Sequence, residues 1–129
     1  MHRILTAVLI AAPAFVLGAT LTAARQQTPA AATRREPQFE NEQVRVWKSV
    51  ILPRQPLALH RHDHGRTLIA LTDGRLDVVD GTGKLVDRYD WKRGRAYWLP
   101  ADPPGVQHGD INVGTEPVEV IVVELKRDR

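Results

Sequence analysis

From Val44 onward the sequence is a succession of short β-branched runs, each closed by turn residues. The runs are Val44–Leu52, Leu57–His62, Thr67–Leu71, Arg75–Val79, Lys84–Asp90, Arg95–Leu99, Gln107–Asn112 and Glu116–Lys126. They recur at roughly ten-residue spacing, and no stretch of ten residues carries a helical period, which predicts an all-β sandwich or barrel. Most prolines and glycines fall in the connections, where a fixed or a permissive φ is useful. Asp73-Gly74 reads as a hairpin turn between its two flanking runs. The closing run, Val118 to Leu125, is apolar on both faces at its centre. This suits an inner strand covered on both sides, or a strand at an oligomer interface.

The chain of 129 residues is long enough for one domain. Ahead of the strands, Met1-His2-Arg3 and a mostly apolar stretch from Ile4 to Ala19 lead to Thr22-Ala23-Ala24. This three-part form is that of a secretory signal peptide over residues 1–24, cleaved before Arg25. An uncleaved membrane anchor is the alternative, although Thr6, Pro13, Gly18 and Thr20 dilute the segment. Either way the domain is expected in a secreted or periplasmic location. Residues 25–37 are polar and rich in Ala and Pro, and read as a flexible linker to a domain at 38–129.

Cysteine is absent, which excludes a disulfide framework, a thiol nucleophile and a zinc-thiolate site. A net charge of +3, without a clustered basic face, gives no argument for nucleic acid as a partner. The phosphate-binding glycine motifs are missing. Ser49 is the one serine and lies far from any histidine in sequence, so no Ser-His-Asp arrangement can be argued.

Histidine carries the chemistry. In His60-Arg61-His62-Asp63-His64, alternate residues of an extended chain project to one face, so His60 and His62 stand side by side. A third imidazole from another strand completes a metal site, and His108 is the candidate. Imidazole suits Fe, Mn, Zn, Ni or Cu, with no means of choosing among them for the one divalent ion expected. Three neutral imidazoles leave the +2 charge of such an ion uncompensated, which favours an anionic ligand or substrate. Asp63, Asp102 and Asp110 are candidates to orient an imidazole through its other nitrogen. Arg66 and Arg95 could hold a carboxylate if either points inward, although a surface position is the simpler expectation for both. Trp47, Trp91 and Trp98 read as core or rim packing.

These residues together resemble the cupin superfamily. Its first motif, G-x5-H-x-H-x3,4-E-x6-G, is matched by His60, His62 and Gly74. Its second, G-x5-P-x-G-x2-H-x3-N, is matched by Gly94, Pro100, Gly105, His108 and Asn112. The resemblance covers about Val44 to Lys126 and implies a single jelly-roll β-barrel. The short form and the closing Val-rich strand look like small single-domain cupins associated with β-alanine degradation. Arg54 replaces the first glycine, a departure expected to matter little. Three extra residues lengthen the loop between Pro100 and Gly105. Thr67 stands where the motif has its carboxylate ligand, so the resemblance implies that Thr67 points at the metal, with His64 or Thr67 as the fourth ligand. Two functions follow: a metal-dependent, dioxygenase-like enzyme acting on a small anionic organic molecule, or a non-catalytic module binding metal or a small ligand. A homodimer is the expected assembly.

Overall fold

The computed structural model describes residues 31–127; the expected signal peptide and residues 25–30 of the expected linker lie outside them. Eight strands and no helix occur among the described residues. They are β1 (Arg34–Glu40), β2 (Val44–Ile51), β3 (Arg66–Ala70), β4 (Gly74–Val79), β5 (Leu85–Trp91), β6 (Ala96–Leu99), β7 (Gly109–Asn112) and β8 (Val118–Leu125). They form two antiparallel sheets, ordered β1-β2-β8-β3-β6 and β5-β4-β7. The expected closed barrel is therefore a two-sheet jelly roll. Its layers are joined at one side only by isolated bridges, Pro53 with Asn112 and His60 with His108.

Four readings of the sequence change. Arg34 to Pro37, taken as linker, belong to β1, which pairs with β2 along the sheet edge. Pro37 and the charged neighbours hid this strand, yet an edge strand tolerates proline, and its register shifts between Pro37 and Phe39. Asp73-Gly74 is not a hairpin turn: β3 and β4 lie in different sheets, and the chain crosses between layers there. Gly74 is needed for closeness, because a Cβ on it would overlap a methyl of the buried Val118. Arg54 adopts φ 58°, in the left-handed region where the motif's glycine is at ease, so this departure costs about 1 kcal/mol.

The fourth is the run Leu57–His62, which forms no ladder. Backbone N–H groups of Arg54, Leu57 and His60 donate to the carbonyls of Asn112, Asp110 and His108, at 2.9 Å each. Three residues on one side are thus used for every two on the other, and a repeated bulge cannot propagate as a regular strand.

The core is a cluster of Trp47, Ile51, Leu68, Ala70, Leu76, Trp91, Val118, Val120 and Val122 between the sheets. β8 lies between β2 and β3 and sends Val118, Val120 and Val122 into it, while Ile121 and Val123 are half-buried on the other face. Asn112, the last residue of the second motif, is completely buried and fully used. Its Nδ2 donates to the carbonyls of Ile51 and Glu116, and its Oδ1 accepts from the Gly114 N–H. It joins the end of β2 to the end of β7.

Candidate metal centre

His60 and His108 are held opposite each other by a reciprocal backbone pair, with N···O distances of 2.9 and 2.8 Å. Their side chains therefore leave on the same side, and the ring centroids lie 4.4 Å apart. His62 follows on the same arm, edge-on to His60 at 5.0 Å and parallel to the Trp47 indole at 5.9 Å. One ligand nitrogen from each of the three histidines lies within 4.8 Å of the others. The trio expected from the sequence is brought together and could hold a metal ion.

The two proposed fourth ligands are not part of this group. Alternation along β3 turns Arg66, Leu68 and Ala70 inward and leaves Thr67 on the opposite face, paired with Val123 and Trp98. The motif position therefore carries no side chain toward the histidines. His64 lies outside the group as well.

What the sequence did not show is how the imidazoles are oriented. Each Nδ1 faces an oxygen. His60 Nδ1 lies 2.8 Å from the Ala58 carbonyl, His62 Nδ1 is bonded to the Glu124 carboxylate, and His108 Nδ1 is 3.4 Å from Asp102 Oδ2. An imidazole beside a carbonyl must donate to it, so the proton sits on Nδ1 and Nε2 keeps a lone pair. All three Nε2 atoms are left as ligand atoms. This is the usual arrangement of metal-binding histidines, whose other nitrogen is fixed by an oxygen.

Glu124 and Asp102 reach the site by routes that no local pattern reveals. Glu124 ends the inward row of β8, in register with Arg66 of β3. Asp102 comes from the loop lengthened relative to the motif. Asp102 Oδ2 accepts the His62 N–H at 2.6 Å, and the Asp102 N–H donates to the His62 carbonyl at 2.8 Å. The loop then turns at Pro103-Pro104-Gly105, where Gly105 takes φ 77° and the Val106 N–H closes on Pro103. The three extra residues thus tie one histidine arm to the other.

Burial sets the charge state of the cluster. It lowers His60 to about 4, with Arg35 adding to the effect, and it lowers His108 against the pull of Asp102. Both rings are therefore neutral at physiological pH, as ligation requires. Burial raises Asp110 to about 6, opposed by Arg66 and Arg35. Arg66 points inward rather than to the surface, is 4% exposed, and donates from Nη1 to the Pro100 carbonyl at 3.0 Å. Arg95 is exposed. The sequence argument of an uncompensated +2 ion therefore needs revision, because Glu124, Asp102 and Asp110 surround the trio, balanced by Arg35 and Arg66.

Two cavities adjoin the site. One, of about 440 Å³, is bordered by Arg35, Arg45, Arg61, Trp47, His62 and Glu124 among others. The other, about 190 Å³, touches His60. Arg35 borders both, with its guanidinium 5.1 Å from the centre of the Trp47 ring.

No protein-family model matches the chain, and no curated protein matches it either. Solved structures do. A cupin domain from Bordetella pertussis is 25% identical, with a TM-score of 0.63 over 74% of this chain and 95% of that one. An uncharacterised conserved protein with a double-stranded β-helix domain from Klebsiella pneumoniae is 25% identical, with a TM-score of 0.54 over 77% and 81%. An RmlC-like cupin family protein from Methanocaldococcus jannaschii is 17% identical, with a TM-score of 0.56 over 76% and 84%. The chain has the jelly-roll fold of these double-stranded β-helix proteins.

Proposed function

We propose that this chain is a member of the cupin superfamily that binds one divalent metal ion through His60, His62 and His108. We further propose that it acts as a dioxygenase-like enzyme on a small organic carboxylate. The observation that carries the reading is the grouping of the three imidazoles, each with Nδ1 against an oxygen and one ligand nitrogen of each within 4.8 Å of the other two. Three imidazoles grouped in this way, each with its other nitrogen against an oxygen, are a donor set for a cation. A redox-active ion held there supplies the centre at which dioxygen can be used. The protein's own groups supply the rest. Glu124 and Asp102 fix the rings, and Arg35 offers a planar, permanently charged donor fork beside the Trp47 face. A flat carboxylate entering the larger cavity meets both. Substrates of the kind suggested by the resemblance to β-alanine-associated cupins fall in this class, since β-alanine carries a carboxylate.

The leader at 1–24 supports action outside the cytoplasm. A homodimer is supported by the outer face of the larger sheet. There Phe39, Val123, Thr67 and Trp98, linked through the buried Val46, form one row across all five strands, with Phe39 and Trp98 each 58% exposed.

The test is metal analysis of protein purified without an affinity tag, with His60→Ala and His108→Ala beside it. Stoichiometric iron, manganese, nickel or copper, lost in both variants, is the expected result. Zinc would favour a non-oxidative or purely binding role. A parent that neither carries nor takes up a divalent ion would overturn the reading.

A further inference from the structure

We propose that the carboxylate ligand missing from the first motif is supplied by Asp110 of β7, making a site of three histidines and one aspartate. This rests on the metal reading above and adds a ligand to it.

Asp110 lies two residues beyond His108, so it shares the inward face of β7 with it, opposite Val78 of β4. It is 7% exposed, and its Oδ1 is buried with no hydrogen-bond partner. Buried polar atoms are rarely left in this state, and a bound ion is one of the few things that explains one. The other oxygen gives the direction. Asp110 Oδ2 lies 3.7 Å from His60 Nε2. Because His60 Nδ1 donates to the Ala58 carbonyl, Nε2 has no proton to offer. With Asp110 ionised, two lone-pair atoms therefore face each other. Reversing the tautomer would only move the conflict to Ala58, at 2.8 Å. A cation between Nε2 and Oδ2 resolves both positions at once.

The spacing to His60 is close to what this needs. Donors about 2.0–2.2 Å from one ion stand roughly 3.0–3.4 Å apart when adjacent, against 3.7 Å here, and because Asp110 stands outside the 4.8 Å group of the three histidines its side chain must rotate toward them to join it. The charge is also right. With Thr67 turned outward, no carboxylate reaches the ion from β3, whereas Asp110 would offset half of a +2 charge from β7 of the opposite sheet. The motif's ligand set is thus rebuilt on a different strand, with the carboxylate next in the row to His108.

The experiment is Co(II) titration of the metal-free parent and of Asp110→Asn, followed by visible absorption. Asparagine keeps the shape and removes the charge. The expected result is an affinity at least about 100-fold lower in the variant, beyond the range of changes behind a ligand, with an altered d–d spectrum. Affinity within about threefold and an unchanged spectrum would overturn the proposal while leaving the three-histidine site intact. A parent that takes up no Co(II) would instead remove the metal reading itself. A crystal structure of the zinc-loaded parent decides the matter independently of how the variant folds. An Asp110 oxygen at about 2.0–2.2 Å from zinc sustains the proposal, and one beyond about 3 Å overturns it.

Discussion

The two ends of the space between the sheets are built on the same strands and behave in opposite ways. Along β8 the inward row runs Val118, Val120, Val122 and then Glu124; along β3 it runs Ala70, Leu68 and then Arg66. Along β7 and the bridge residue that precedes it, the row is Asn112, Asp110, His108, polar throughout. At the apolar end the buried polar residues are partnered: Asn112 has every side-chain hydrogen-bonding atom used, and Ser49 Oγ accepts from the Trp47 indole N–H. At the other end Asp110 keeps an unpartnered oxygen, and three imidazoles bring ligand nitrogens within 4.8 Å of one another. One end is closed in its hydrogen bonding and holds the sheets together. The other gathers donor atoms that could hold a metal ion. The difference separates a group buried for stability from a group buried for binding.

That separation can be broken by substitution. Leu76 is fully buried at the closed end, so Leu76→Ala is expected to cost about 3–5 kcal/mol in chemical denaturation. The metal affinity of the protein that remains folded should stay within about threefold. A large loss of affinity would mean that the two ends are coupled. Asp102→Asn tests the open end. The amide oxygen can still accept the His62 N–H, but the charge beside His108 is gone. Metal binding should weaken by about 10–100-fold, while unfolding free energy falls by only about 1 kcal/mol. Calorimetric titration and urea melts on the same preparation separate the two effects. The smallest change is expected for Thr67→Glu. If the motif were followed literally, it would tighten the metal. Because Thr67 faces away from the trio, affinity should stay within about twofold in a competition titration. A clear gain would show that β3 turns its other face inward.

The sequence made the strands legible because turn residues punctuate them, and it made the trio legible because alternation places His60 and His62 together. It could not reveal what depends on register between distant segments. Glu124 meets His62 from 62 positions away, and Asp102 meets it from 40. Thr67 was misjudged for the opposite reason. A motif fixes the position along the chain, but the face a side chain takes is set by pairing, and β3 pairs with β8 and β6 so that Arg66 turns inward. Strand β1 escaped notice because an edge strand with one face to solvent needs neither alternation nor the absence of proline.

The place of β8 has a consequence for how the chain comes to be folded. It is the last strand along the sequence, yet it sits in the middle of the five-stranded sheet. Until residues 118–125 have left the ribosome, β1-β2 and β3-β6 can exist only as two separate ribbons, each with an unpaired edge toward the gap. Folding of the larger sheet must then wait until residues 118–125 are free to pair, and it proceeds through contacts distant in sequence, which are slow to form. The nascent chain exposes two apolar edges for that whole interval, and it is in this window, rather than in the finished molecule, that aggregation competes with folding.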